Sequence, residues 1–70
     1  KRQEIVRARQ VCIYLMCDML ALPLVTVGQI MGGRDHSTVI YARDKIADLM
    51  RVNDKVAKDV TDVKSAVLKQ

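Results

Sequence analysis

The spacing of apolar residues along the chain predicts four α-helices. The first is expected over residues 4–20, where apolar side chains recur at intervals of three and four, as on one face of a helix. That predicted face consists of Ile5, Ala8, Cys12, Leu15 and Met19. Further apolar residues around its circumference predict that this helix is central and the most buried of the four. Pro23 separates it from the second helix, because the residue before a proline avoids the helical region.

A short second helix is expected over residues 25–31, with a buried face of Val27, Ile30 and Met31. It ends at Gly32 and Gly33, since glycine adopts the left-handed cap conformation without steric cost.

The third and fourth helices are predicted from capping residues and from two further apolar stripes. Asp35 can accept a hydrogen bond from the free N–H groups of a first helical turn, so the third helix is expected to begin beside it and to end near residue 52. The fourth begins near residue 54. The predicted buried residues are Val39, Ala42, Ile46, Leu49 and Met50, then Val56, Val60, Val63 and Val67, while Ser37, Tyr41, Asp44 and Asp48 face outward from the third helix.

This order of elements is that of a helix-turn-helix unit. A helix, a short helix, a glycine-containing turn of three residues and another helix match its usual arrangement. The predicted fold class is therefore all-α, a small helical bundle that contains a helix-turn-helix. Many small bundles join two helices through glycine, so this geometry alone leaves DNA binding as one interpretation among several.

Composition narrows the possibilities further. The chain has 70 residues, half of them hydrophobic, and a formal net charge of +4. This length allows one domain over residues 1–70, and the hydrophobic content argues against disorder. No apolar run approaches the roughly 20 residues that a bilayer span requires. Because the chain starts with Lys1 rather than Met, we expect a piece of a longer protein. Cys12 and Cys17 lie five apart on one predicted helix and are expected to be reduced cytosolic thiols.

Candidate chemistry concentrates at the start of the third helix. In a helix-turn-helix the first residues of the second helix of the motif reach base edges, and helix N-termini favour phosphate. Asp35 can accept from a cytosine amino group, His36 can bond a base acceptor or contact a thymine methyl, and Ser37 can bond several bases. Arg34 and Thr38 suit phosphate. The same residues are also common as caps and first-turn residues, which remains the alternative.

Enzymatic chemistry is not expected. Asp35, His36 and Ser37 are consecutive on one helical turn and point in different directions, so they cannot form a catalytic triad. No spacing of His, Cys and carboxylate residues suggests a metal site. We predict no catalytic residue, no metal and no cofactor in this chain.

The first nine residues carry four cations offset by one acid. We interpret them as a basic arm, residues 1–9, that can enter a narrow minor groove; a solvated start without a role is the alternative. Arg9 and Gln10 can hold phosphate, and Lys45 can reach one from the third helix. The four cations are Lys1, Arg2, Arg7 and Arg9.

Several stretches resemble the C-terminal DNA-binding domain of the bacterial replication initiators of the DnaA family. They are residues 8–15, 27–28, 32–39 and 45–46, and the run Gly32-Gly33-Arg34-Asp35-His36 is the most specific of them. The resemblance covers nearly the whole chain. It implies a Trp-repressor-like helical fold that binds DnaA boxes in double-stranded DNA at the replication origin, in the bacterial cytoplasm at the nucleoid. ATP would belong to the longer parent protein, since no phosphate-cradling Gly-x-x-x-x-Gly-Lys-Ser/Thr loop occurs here.

The resemblance also implies roles position by position. The expected base contacts are Asp35, His36, Ser37 and, where many relatives have a proline, Val25. The expected phosphate contacts are Arg9, Gln10, Arg34, Thr38 and Lys45. In the minor groove, Lys1 is the match and Arg2 the nearest substitute; a lysine there lacks the planar fork of an arginine.

Two other functions remain open from the sequence. A helix-turn-helix transcriptional repressor would need a dimer and a two-fold operator. A protein-interaction module could use Ile40, Tyr41 and exposed valines instead. No dimer seam is evident in the sequence, so we expect a monomer.

Overall fold

The computed structural model describes residues 2–69, and within them all regular structure is helical. The helices in chain order are α1 (Arg2–Asp18), α2 (Leu24–Ile30), α3 (His36–Val52) and α4 (Asp54–Leu68). The predicted all-α fold with a helix-turn-helix is confirmed. Boundaries differ by about two residues, as expected at helix ends, which fray.

The core consists of two groups of buried side chains that both include residues of α3. One group joins α1, α3 and α4 and consists of Val11, Leu15, Ile46, Val56 and Val60. The other joins α1, α2 and α3 and consists of Ile13, Val27, Val39 and Ala42. Helices α1 and α3 each contact the other three helices and each contribute to both groups, so the two together form the centre of the bundle.

The predicted buried face of the first helix is confirmed at Leu15, which is buried, and at Met19, which is half-buried, and is wrong at its other three positions. Val11, Ile13 and Leu15 are the buried residues, whereas Ile5, Ala8 and Cys12 are exposed. The reason is tertiary: α3 packs against the Val11–Ile13 side, while the predicted stripe borders an open apolar groove between α1 and α4. A cavity of about 330 Å³ in this groove is lined by side chains of α1 and α4 and of the segments that follow α1 and α2: Cys12, Leu15, Met16, Met19, Leu20, Met31, Val63 and Val67.

The other predicted stripes are mostly confirmed. The predicted face of α3 is buried or half-buried throughout, and Val56 and Val60 anchor α4. Ile30 and the last two valines of α4, Val63 and Val67, are exposed instead. Ile30 is the last residue of α2, and Val63 and Val67 line the open groove between α1 and α4. None of the helices over residues 2–69 is both long and apolar enough to cross a membrane.

The joint between α2 and α3 is held by the backbone of Gly28. Its carbonyl oxygen accepts hydrogen bonds from the N–H groups of Gly33 and Arg34, each at 3.0 Å. Gly32 and Gly33 have φ angles of +92° and +80°, a backbone conformation that residues with a Cβ atom rarely adopt. A Cβ atom on Gly28 would overlap the Arg34 carbonyl oxygen. The absence of a side chain at Gly28 therefore lets the turn fold back onto α2.

A single residue, Asn53, forms the joint between α3 and α4. Its side-chain oxygen accepts from the N–H groups of Lys55 at 3.0 Å and Val56 at 3.2 Å. Its own N–H donates to the Leu49 carbonyl oxygen at 2.7 Å. One residue thus ends α3 and caps α4, which fixes the short connection.

We predict that Gly28→Ala destabilises the fold. Helix propensity alone would make alanine stabilising by about 1 kcal/mol at this interior helical position. The overlap with the Arg34 carbonyl should reverse that sign and cost about 1–3 kcal/mol net, measured by urea or thermal unfolding monitored by circular dichroism.

Gly32→Ala is the matched control. Its Cβ would meet no atom within 4 Å, so only the left-handed backbone cost of about 1–2 kcal/mol applies. A Gly28→Ala variant as stable as the unmodified chain, or more stable, would contradict the close approach at this joint.

Candidate nucleic-acid interface

Asp35 caps α3 and sets the direction of its first turn. Its Oδ1 accepts a hydrogen bond from the Thr38 N–H at 3.0 Å, and its backbone is extended, as in an N-cap residue. This hydrogen bond from the Thr38 backbone is the main reason why the pKa of Asp35 lies below its ordinary value of 3.8. The carboxylate is therefore ionised at neutral pH, and its remaining lone pairs face solvent beside His36.

The first turn of α3 projects its polar side chains outward. His36, Ser37 and Thr38 are exposed, as are Arg34 and Asp35 before them. No polar or charged side chain among residues 2–69 is buried in the core. On α2, Val25 is 62% exposed. The structure thus leaves accessible each of the residues predicted to contact bases.

A second feature is a groove between the first half of α1 and the middle of α3. Its volume is about 420 Å³, and its lining combines three cations with two amides and one aliphatic side chain: Arg2, Arg7, Lys45, Gln3, Gln10 and Val6. We call it the cationic groove. Guanidinium, ammonium and amide groups all donate hydrogen bonds, so its chemistry suits an anion such as a phosphate.

Lys45 belongs both to this groove and to the exposed face of α3. That face, a shallow depression of about 580 Å³, is lined by Ser37, Ile40, Tyr41, Asp44, Lys45 and Asp48. The two surfaces meet at Lys45, one side lined by the predicted base-contacting Ser37 and the other by the predicted phosphate-contacting Gln10. They form one continuous surface.

The predicted basic arm, residues 1–9, overlaps α1. Residues 2–9 form the first two turns of α1, so the helix begins two residues before the predicted start at residue 4. Local helix propensity and the contact of α1 with α3 favour this continuation of the helix. Lys1 lies outside the described residues. Arg9 is half-buried and follows Arg2 by about two turns, which places the two at similar angles around the helix axis.

Arg7 is a member of the groove that was identified from the sequence only as one of four cations. It is half-buried, and its Nε is buried without a hydrogen-bond partner within the described part of the chain. A buried hydrogen-bond donor without an acceptor costs free energy. A ligand that supplies an acceptor to Arg7 Nε would therefore bind favourably there. Its spacing of three from Gln10 was the available signal, since it places both on one helix face.

Metal-binding side chains and thiols are the two other kinds of reactive group in the chain. Over residues 2–69, no three His, Cys, Asp or Glu side chains are grouped so that they could hold a metal ion. Both cysteines are free thiols. Burial is the main cause that raises the pKa of the Cys17 thiol, so its thiolate form is disfavoured.

Comparison with known proteins identifies the family. The sequence model of the family described as "Bacterial dnaA protein helix-turn-helix" matches residues 1–46. The chain belongs to this DnaA helix-turn-helix family. The resemblance found in the sequence is therefore confirmed, and the family's motif spans α1, α2 and most of α3, which carry both surfaces described above.

Curated relatives of this DnaA family agree. The chain is 42% identical over 65 residues to the chromosomal replication initiator protein DnaA of Thermomicrobium roseum, covering 93% of the chain and 14% of that protein. The DnaA proteins of Leifsonia xyli and Picosynechococcus are each 39% identical over 67 residues, covering 96% of the chain and 14% and 15% of those proteins. The chain thus spans about one seventh of the length of these relatives. No solved structure matches significantly.

We predict that acid weakens the first turn of α3 through Asp35. Because the pKa of this carboxyl is lowered in the folded chain, its contribution to stability is fully present above about pH 4 and is lost as the pH falls through the lower folded pKa. The Thr38 amide resonance, followed by NMR during acid titration, should report the loss of this hydrogen bond.

Asp35→Asn is the control, because asparagine also caps helices but does not titrate. The acid-dependent change at Thr38 should disappear in this variant. A Thr38 titration that persists in Asp35→Asn would show that another group governs the helix start.

Proposed function

We propose that this chain binds double-stranded DNA sequence-specifically, at DnaA boxes of a bacterial replication origin, and so serves the initiation of chromosomal replication. The observation that carries the proposal is the continuous surface that joins the exposed start of α3 to the cationic groove through Lys45. A helix start that presents base-reading groups beside a set of cations is the combination that DNA recognition requires.

The proposed division of labour corresponds to the placement of the side chains. Helix α3 enters the major groove by its N-terminus, where Asp35, His36 and Ser37 meet base edges, and Val25 contacts a base methyl from α2. The phosphate contacts that hold the domain in register are Arg9, Gln10, Arg34, Thr38 and Lys45. Asp35 serves both as cap and as acceptor, since the cap uses one carboxylate oxygen.

The minor-groove contact is proposed to come from the start of α1. Arg2 lies in the first turn of α1 and lines the cationic groove with Lys45, so its backbone is held in a helix while its side chain extends outward. Lys1 directly precedes it in the sequence. Narrow minor grooves carry strong negative potential that attracts such cations. Arg7, five residues further along α1, lines the same cationic groove as Arg2.

The domain is proposed to act as a monomeric, non-catalytic binding module without a cofactor of its own. ATP and the energy-dependent steps of initiation would belong to the other parts of the parent protein, in the bacterial cytoplasm at the nucleoid. The family and its DnaA relatives favour this function over a transcriptional repressor or a protein-interaction module.

We predict that His36→Ala lowers affinity for a duplex carrying a DnaA box by about 1–3 kcal/mol, roughly 5- to 150-fold, because one base contact is lost. Its affinity for a scrambled duplex of the same length should change little. Fluorescence anisotropy with both labelled duplexes measures the two affinities.

Arg9→Ala is the comparison variant. This variant should lower the affinity for both duplexes by a similar factor. It should also reduce the slope of log affinity against log salt by about 0.9, the value for one phosphate contact. If His36→Ala preserved the preference for the box, the base-reading role of the α3 start would be wrong.

A further inference from the structure

Arg7 carries an unsatisfied hydrogen-bond donor at the edge of the cationic groove. Its side chain is half-buried, and its Nε is buried without a hydrogen-bond partner within residues 2–69. A guanidinium group is positively charged and has only donors, so this atom needs an acceptor. A buried donor without one lowers the stability of the folded chain. The free protein therefore carries an energetic cost at Arg7.

The side chains on the other side of Arg7 do not remove this cost. There Arg7 borders a depression between α1 and α4 together with Glu4, Lys55 and Asp59. Lys55 Nζ donates to Asp59 Oδ2 at 3.2 Å, so this aspartate is engaged by another cation. Arg7 itself forms no ion pair with any residue from 2 to 69.

The cations of the groove differ in this respect from those on other surfaces. Four cations of the described residues pair with aspartates at N–O distances of 2.8–3.9 Å, and they are Arg43, Arg51, Lys55 and Lys58. Over the same part of the chain, none of the three cations that line the cationic groove belongs to such a pair. Their charge and their donors are therefore available to an anion from outside the chain.

We propose that Arg7 is a further phosphate contact, whose guanidinium turns into the cationic groove when DNA binds so that Nε donates to a backbone phosphate oxygen. This inference rests on the proposed function, which places Gln10 and Lys45 of the same groove on phosphates. Arg7 precedes Gln10 by three residues, so the two are neighbours on one face of α1. A phosphate held between Gln10 and Lys45 therefore lies beside Arg7.

The shape of the guanidinium suits this contact. Its planar fork presents parallel N–H groups that can bind two oxygens of one phosphate. Nε lacks an acceptor in the free chain and gains one in the complex, so the cost in the free chain becomes a contribution to affinity. Arg7 thus lowers the stability of the free protein and raises its affinity for DNA, a trade-off that is common at functional sites.

Arg7→Met tests both effects in the 70-residue chain. Methionine has a similar helix propensity, but its side chain has no donor. We expect the midpoint of thermal unfolding, followed by circular dichroism without DNA, to rise by about 4–8 °C.

The same variant should bind DNA less tightly. Its affinity for a duplex with a DnaA box and for a scrambled duplex of equal length should each fall about ten-fold or more, because a hydrogen bond to a charged group is lost. The slope of log affinity against log salt should decrease by about 0.9. Fluorescence anisotropy over a salt titration measures these changes.

Arg7→Lys separates the donor from the charge. Lysine keeps the positive charge but has a single ammonium group instead of a planar fork. We expect the salt slope of this variant to equal that of the wild type, while affinity for both duplexes falls about three- to ten-fold.

Arg51→Met is the matched control, since it removes the same charge by the same substitution. Arg51 lies in the last turn of α3, its side chain is 77% exposed, and it is outside both proposed DNA-binding surfaces. Its ion pair with Asp48 is exposed and long, at 3.9 Å, and such pairs contribute little to stability. The control should not raise the unfolding midpoint and should lower affinity less than about two-fold, because salt screens distant charges.

Four results would overturn the inference. They are an unchanged or lower unfolding midpoint in Arg7→Met, unchanged DNA affinity in Arg7→Met, equal losses of affinity in Arg7→Met and Arg51→Met, and wild-type affinity in Arg7→Lys. The proposed function is judged separately on the wild-type chain, where equal affinity for the box and the scrambled duplex would contradict sequence-specific binding. Because a phosphate contact acts on both duplexes, the Arg7 variants report on it whichever way that comparison comes out.

Discussion

The carbonyl oxygen of Gly28 accepts hydrogen bonds from two successive N–H groups of the turn, and the placement of the candidate interface depends on this contact. It connects α2 to the residues that lead into α3, so the outward direction of the α3 start is fixed relative to the rest of the bundle. The contact needs a residue without a side chain, since a Cβ would overlap the backbone of Arg34. Beneath it, Val27 and Val39 pack with Ile13 in the core, which ties the turn to α1.

With the turn held in this way, the start of α3 and the cationic groove present different chemistry on one surface. The start of α3 presents exposed hydrogen-bonding groups with little burial, which suits the reading of base edges. The cationic groove beside it gathers charge from two helices that are distant in sequence. Lys45 lines both of these surfaces. In the proposed function, affinity and specificity therefore depend on different side chains of the bundle.

Much of this could be predicted from the sequence, for reasons that are local. The glycine pair, the Asp35 cap and the period of apolar residues in α3 are short-range signals, and they were enough to predict the helix-turn-helix and its exposed first turn. The buried face of α1 was not predictable in this way, because α1 is apolar on several sides and only the positions of α3 and α4 decide which side is covered. The predicted basic arm, residues 1–9, overlapped the predicted first helix from residue 4 onward, and the structure begins α1 two residues earlier, at Arg2. Arg7 was missed as a groove residue because its partners there include Lys45, far away in sequence.

The most direct measurement is an NMR titration of the ¹⁵N-labelled chain with a duplex carrying a DnaA box. We expect the amide signals of residues 35–41 and those of Arg2, Arg7, Gln10 and Lys45 to shift together at the same DNA ratio, while signals of residues 60–68 in α4 stay in place. Shifts confined to the apolar groove between α1 and α4, with the start of α3 unaffected, would contradict the interface described here.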